Sequence, residues 1–279
     1  MFKKITALGI FIVLAGTLVA CGKNDEKINV VTREQGSGTR AAFTEITGIL
    51  EKKNDKEIDN TYKEAIVQNS TDGVMKTVIG DKNAIGYISL GSLNDTVKAL
   101  DVNGVSANAE NIKNGTYEIS RNFILVNKEN SSDGVKDFIK FIESDQGQKI
   151  VSEEGYIDAP QGLEYIGTNN SENITIAGST SVAPLMEKLV EGYKKFNPSF
   201  RADIQATGSS AGIKAVQDNS AQIGMSSREL KSSEENLDKS IIAMDGIVVI
   251  VNKDFEKNDL TLDNIKDIFT GKKTNWVDL

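Results

Sequence analysis

The stretch Ile28 to Phe43, INVVTREQGSGTRAAF, constrains this chain more than any other. It reads as a β-branched strand over Ile28 to Thr32, then a tight loop, then the first turn of a helix. Between Gln35 and Thr39 the loop sets two glycines and two hydroxyls where a helix leaves its first N–H groups unpaired. Those N–H groups and the positive end of the helix dipole point the same way, so such a loop cradles anions. Arg33, arriving from the strand end, can add a bidentate grip on an oxyanion. Taken alone, a loop of this kind is an ordinary helix cap. Three more occur, at 178–181, 207–212 and 226–228, and three of the four sit at strand-to-helix junctions. That repetition points to a shared site for one small tetrahedral anion.

Composition narrows the chemistry. With 279 residues the chain is long enough for two compact lobes. Its formal charge of −8 argues against a nucleic-acid footprint, so an anionic ligand must be captured by local donors. There is no histidine, which removes the commonest general base and metal ligand. The single cysteine excludes an internal disulfide framework and a multi-cysteine metal site. No metal or cofactor is expected.

Residues 1–20 read as a signal peptide, with Lys3 and Lys4 as a basic start and an apolar run from Ile5 to Ala20. That run of 16 residues is short of the roughly 20 that a membrane span needs. Leu18-Val19-Ala20-Cys21 resembles the lipobox of bacterial lipoproteins, which implies cleavage before Cys21 and lipid attachment to its sulfur. Residues 21–27 would then form a lipidated tether. A plain signal peptide with an incidental cysteine is the alternative.

Farther along, Arg40 to Lys53 has helical spacing through Phe43, Ile46 and Leu50. Strands are expected at 65–67, 84–90 and 97–102, and a helix at 73–79 behind the cap cluster Asn69-Ser70-Thr71. Tyr117 to Asn127 is a long extended segment able to cross between lobes. Val135 to Ile142 is amphipathic and is expected to run on toward Glu154. Residues 158–173 read as a linker. Beyond them the spacing predicts strands at 174–177, 202–206, 221–225 and 241–252, with helices at 182–196, from Ile213, and at 262–270. Strands alternating with helices argue an α/β fold with mainly parallel sheets and ligands at the strand ends.

The same loops bear on other chemistries. None ends in Gly-Lys-Ser/Thr, so this is not a Walker A loop. Gly208-Ser209-Ser210-Ala211-Gly212 fits the nucleophile-elbow pattern, but without histidine only a Ser–Lys hydrolase remains. Arg40 and Arg228 read as surface or salt-bridge residues, and Asp245 as a buried, hydrogen-bonded structural residue.

Seven segments together (ITIAGSTSVAPLME, ATGSSAGIKAVQ, IGMSSREL, DGIVVIVN, IFTGKKTNW, VVTREQGSGTRAAF and AIGYISLGS) resemble the phosphate-binding proteins of bacterial Pst phosphate ABC transporters. In that family AGSTS opens the chain and TNW precedes VVTREQGSGTR; here VVTREQGSGTR comes first and the chain stops after TNW. The resemblance therefore implies a two-lobed, periplasmic-binding-protein-like α/β fold of type II in circularly permuted order. One lobe would comprise 28–117 plus 253–279, and the other 118–252, with the 158–173 linker joining the family's usual termini. Ile28 and Leu279 should then lie close together on one lobe.

The resemblance also implies a site: Arg33, Ser37, Gly38 and Thr39 from one lobe, and Thr180, Ser181, Ser209 and Ser227 from the other. Ser181 replaces a frequent Phe whose backbone N–H binds, and that donor is kept. Ser227 replaces a frequent Asp that accepts the ligand's proton, with Glu229 as a substitute acceptor, so phosphate-over-sulfate selectivity is in question. The implied protein is a monomeric, lipid-anchored, non-enzymatic receptor on the extracytoplasmic face of a bacterial membrane. It would deliver inorganic phosphate to the transporter's permease subunits. The alternatives are a receptor for another oxyanion such as sulfate, a Ser–Lys hydrolase, and a structural surface lipoprotein.

Overall fold

A computed structural model describes residues 27–53, 56–159 and 162–279. The expected signal peptide, Cys21 and the expected tether up to residue 26 lie outside the described residues, as do positions 160 and 161 of the expected linker. Among the described residues no helix is long and apolar enough to cross a membrane.

The chain opens with β1 (Asn29–Arg33), α1 (Gly38–Ile46), β2 (Leu50–Lys53), β3 (Lys56–Asp59), β4 (Ile66–Gln68), α2 (Thr71–Gly80) and β5 (Ala84–Ser89). Next come β6 (Val97–Ala99), β7 (Asp101–Val102), α3 (Ala109–Lys113), β8 (Ser120–Asn127), α4 (Asp133–Glu143) and α5 (Asp145–Glu153). The remainder is β9 (Asn173–Gly178), α6 (Ala183–Lys194), β10 (Arg201–Ala206), α7 (Ser209–Gln217), β11 (Ile223–Ser226), β12 (Asp238–Asn252), β13 (Asp259–Leu260) and α8 (Leu262–Phe269).

One sheet organises these elements, in the order β10-β9-β11-β8-β12-β5-β1-β4, with β6 also on β12. Its wings are parallel, β10/β9/β11 on one side and β5/β1/β4 on the other. The centre is antiparallel, because β8 and β12 pair with each other and with the inner strand of each wing. The expected mainly parallel sheet is thus a mixed one. β12 explains why: its 15 residues span roughly 50 Å. Asp238 to Gly246 pair with β8, and Ile247 to Val251 pair with β5. The same strand serves two flanks, here called the β9 flank and the β1 flank.

Each flank carries its own principal core. On the β9 flank Leu185, Met186, Leu189 and Tyr193 of α6 pack against Phe138, Phe141 and Ile142 of α4. On the β1 flank Ile28, Phe43 and Tyr87 pack with Ile268, Phe269 and Trp276. Phe43 stacks on Tyr87 at 4.0 Å between centroids and meets Phe269 edge-on at 4.9 Å. The Tyr87 hydroxyl in turn bonds Thr32 Oγ1 at 2.8 Å and accepts from the Arg33 amide at 3.2 Å. This cluster ties α1 to the end of β1, so the loop between them is held at both ends. Truncating a buried aromatic of this kind costs about 3–5 kcal/mol.

The two ends of the β1 flank meet. The Ile28 amide donates to the Thr274 carbonyl at 2.8 Å, and Lys27 forms a bridge with Asn275. Leu279 packs against the same core as Ile28. The expected proximity of Ile28 and Leu279 is met.

Several expected boundaries are corrected. The helix from Arg40 stops at Ile46, because Gly48 (φ 68°) takes the left-handed conformation that ends helices, and Leu50 begins a hairpin. The helix from Val135 does not run through to Glu154: Ser144 closes α4 onto the Phe141 carbonyl and caps α5 by accepting from the Gly147 amide. The strand at 97–102 divides at Leu100, β6 pairing with β12 and β7 with β13. The helix expected from Ile213 begins four residues earlier, at Ser209, which brings that serine to the helix start.

Candidate functional site

Four helices direct their amino ends at the gap between the flanks. α1 follows β1, α2 follows β4, α6 follows β9 and α7 follows β10. Ser37 caps α1 by accepting from the Arg40 amide at 3.2 Å, and Ser70 caps α2 by accepting from the Gly73 amide at 3.0 Å. On the other side Gly178 (φ 142°) and Gly208 (φ 93°) make the turns into α6 and α7. At Gly178 a side chain would lie 2.2 Å from the Met225 carbonyl oxygen, so only glycine lets the β9 and β11 ends come this close.

The hydroxyls delivered by these turns touch across the gap. Thr39 Oγ1 lies 2.8 Å from Ser181 Oγ. Thr71 Oγ1 lies 3.3 Å from both Thr180 Oγ1 and Ser181 Oγ. Ser179 Oγ donates to Ser227 Oγ at 2.9 Å, and the Ser227 amide donates to Ser209 Oγ at 3.2 Å. Gly38 closes the ring, its α-carbon facing the Ser209 and Ser227 hydroxyls. A backbone bond from the Ser210 amide to the Gly36 carbonyl at 3.1 Å also joins the flanks. Ser37, Thr39, Ser181, Ser209 and Ser227 are buried, and Thr180 is half-buried.

Arg33 is buried beside this cluster at 2% exposure. Its guanidinium bonds Glu34 through both Nε (2.9 Å) and Nη2 (3.0 Å) and reaches the Asn69 carbonyl at 3.5 Å. The cation is therefore aligned and largely neutralised, and much of the remaining positive potential comes from the four helix ends. Every side-chain group in the cluster apart from Arg33 is a hydroxyl, which can both donate and accept. Such a set suits a small oxyanion with or without a proton.

Six of the eight expected site residues, Gly38, Thr39, Thr180, Ser181, Ser209 and Ser227, meet here, with Ser37 next to Gly38 in the chain and Arg33 bonded to the Asn69 carbonyl two residues before Thr71. Glu229 does not: it accepts from Lys239 at 2.5 Å and from Asn122 at 3.1 Å, away from the hydroxyls. Partial burial pushes its carboxyl up, but those two donors carry it below the ordinary range. The expectation of a substitute acceptor at Glu229 is corrected. Ser210 Oγ accepts from Arg228 at 3.1 Å, and a guanidinium cannot act as a base, so the elbow-like serine forms no Ser–Lys pair there. Arg228 and Arg40 sit in ion pairs with Glu234 and Asp59.

Sequence reasoning missed Thr71 and Ser179. It also missed the buried Arg121, which donates twice to Asp245 Oδ2 (3.0 and 3.2 Å) and once to the Ser227 carbonyl (3.2 Å). Asp245 is fully buried and also accepts from Ser89 at 2.9 Å. Burial pushes its carboxyl up, and the Arg121 charge opposes that push. The pair sits where β12 passes from one flank to the other.

Comparison with known proteins fits this geometry. A family model for the PBP superfamily domain matches residues 17–146 and 164–279. The phosphate-binding protein PstS 2 of Streptococcus pneumoniae is 47% identical over 285 residues, covering 99% of this chain and 98% of that one. The chain belongs to the PstS family of phosphate-binding proteins. A crystal structure of a phosphate ABC transporter phosphate-binding protein from Streptococcus pneumoniae is 50% identical, with a TM-score of 0.72 over 90% of this chain and 99% of that one. The PstS protein of Bacillus subtilis matches less, at 32% identity over 139 residues, 49% of this chain and 43% of its own. The PstS relationship extends to the order of segments: the Streptococcus pneumoniae protein aligns from end to end.

Proposed function

We propose that this chain is an extracytoplasmic receptor that closes around inorganic phosphate and passes it to the permease subunits of an ABC importer. The observation that carries the reading is the convergence of four helix amino ends and a ring of buried hydroxyls from both flanks on one point. Arg33, Ser37, Gly38, Thr39, Thr180, Ser181, Ser209 and Ser227 supply the amides, hydroxyls and one cation. A dehydrated phosphate held by many fixed donors is bound without chemistry, so no catalytic residue is assigned. The two flanks act as lobes close to the expected 28–117 with 253–279 and 118–252, except that residues 247–252 of β12 go with the first lobe, and the hinge lies where β12 passes between the flanks. Ligand contacts from both sides favour the closed state.

The segment order is that of a circular permutant within the family. In support, Ile28 and Thr274 are hydrogen-bonded neighbours, and a relative aligned end to end stands beside another aligned over about half its length. The protein is taken as a monomer, and as held to the membrane through lipidated Cys21, the anchor resting on the sequence before residue 27.

A second reading, a receptor for another tetrahedral oxyanion, is favoured by one observation: among the described residues, the side chains at the site's centre include no free carboxylate. An acceptor with full charge would repel sulfate, and hydroxyls do not. Calorimetric titration of the chain from Asn24 with phosphate, alone and in excess sulfate, at pH 6 and pH 8, separates the readings. Tight phosphate binding that survives sulfate supports the phosphate receptor, competition by sulfate supports the general one, and no heat with either anion removes both.

A further inference from the structure

The site has a wall that the eight residues above leave out. β4 ends at Gln68, Ser70 caps α2, and Thr71 is the first residue of that ten-residue helix. Thr71 is 5% exposed, and its hydroxyl faces Thr180 and Ser181 across the gap at 3.3 Å each. Those separations are long for O–H···O bonds, whose usual distance is about 2.7–2.8 Å.

Threonines in the body or at the carboxyl end of a helix spend their hydroxyls on the carbonyl four residues back. Thr44 does so at 2.9 Å, Thr77 at 2.9 Å and Thr270 at 2.8 Å. At the first position of a helix no such intrahelical carbonyl exists, so among the described residues the Thr71 hydroxyl is buried with only those two long contacts. The amides of Thr71 and Asp72 belong to the same unpaired first turn. Asp72 is exposed, so its carboxylate does not oppose an anion at the hydroxyl cluster. Beside the turn, the Asn69 carbonyl receives Nη2 of Arg33, so the cation and the helix end are held in one register.

We infer that Thr71 is a direct ligand of the bound oxyanion and that the amino end of α2 forms a further wall of its cage. This rests on the phosphate-receptor reading and adds a residue to it. On ligand entry the hydroxyl exchanges its two long contacts for one short, charge-assisted bond, and its position between the flanks lets that bond form fully only in the closed state.

The test compares the parent with Thr71→Val, Thr71→Ala and Thr71→Ser by calorimetric titration with inorganic phosphate, alongside thermal melting without ligand. Thr71→Val removes the hydroxyl at nearly constant shape and should weaken binding about ten- to hundredfold. Thr71→Ala should show a comparable loss, which keeps the test in force if the valine packs badly. Thr71→Ser should stay within about threefold of the parent, since it keeps the donor. Valine and alanine variants that bind as the parent does overturn the assignment while leaving the receptor reading intact. A parent that binds no phosphate overturns both.

Discussion

Replacing Gly38 by Ala tests the site most sharply, because its effects on folding and on binding have opposite signs. A β-carbon at Gly38 would lie 2.3 Å from Ser209 Oγ, 2.6 Å from Ser227 Oγ and 3.0 Å from Ser209 Cβ. Ordinary contact needs about 3.5 Å, so the gap must widen by roughly an ångström. Turning the Ser209 hydroxyl aside does not suffice, because its own β-carbon is also too close and it would forfeit the Ser227 amide. Closure around an anion then loses the Ser209 and Ser227 contacts together. Hydrogen bonds to a charged group are worth about 1.5–3 kcal/mol each, so the loss is about 3–6 kcal/mol, a factor between roughly 10² and 10⁴ in Kd. Meanwhile Gly38 is the first residue of α1, where alanine removes up to about 1 kcal/mol of glycine's helix penalty. The ligand-free protein relieves the clash by parting its flanks and should melt at or slightly above the parent's temperature. Phosphate calorimetry with parallel thermal scans reads both effects. Affinity within threefold of the parent refutes the placement of Gly38 against the anion, and lost affinity with an equally lowered Tm refutes the separation of folding from binding.

Two further outcomes follow from the charged groups. Asp245→Asn leaves the buried Arg121 without its carboxylate and should destabilise the fold by about 3–5 kcal/mol in denaturant titration, whereas pairing Asp245→Leu with Arg121→Met should recover most of that; equal losses would show that the charge pair is not the cause. At Glu234, partial burial pushes the carboxyl up, but the two Arg228 bonds and the Lys231 amide hold it below the ordinary range. Its contribution to stability is therefore present above the unfolded value of about 4.3 and is lost as pH falls through the lower folded value. Glu234→Gln should flatten that part of an acid-unfolding curve, and an unchanged slope would count against the pairing.

What could be read from the sequence was whatever is encoded locally. Gly178, Gly208 and the hydroxyls beside them announce their loops within a few residues, and the strand–loop–helix rhythm places them at strand ends. The end of α1 is hidden because Phe43, Ile46 and Leu50 keep helical spacing, although Gly48 decides the matter through a left-handed turn. Thr71 was read only as part of a cap cluster, since no glycine marks its loop and its partners lie 109 and 110 residues away. Arg121 and Asp245 are separated by 124 residues, and nothing near either one reports the pairing. Glu229 looked available beside Ser227, but β12 brings Lys239 to it. Contacts of this kind belong to the topology, not to any window of sequence.

The bond between Ile28 and Thr274 also bears on the timetable of folding. During synthesis, residues 120–246, which make up most of the β9 flank, emerge as one uninterrupted stretch and have their strand partners to hand. β1 is made much earlier, yet its flank lacks the outer half of β12, the α8 side of its core and Trp276 until residues 247–276 have been made. Domains generally fold as units while the chain grows. Here a strand translated before the β9 flank belongs to the unit assembled after it, and residues 274–275, made far later, fasten residues 27–28 in place.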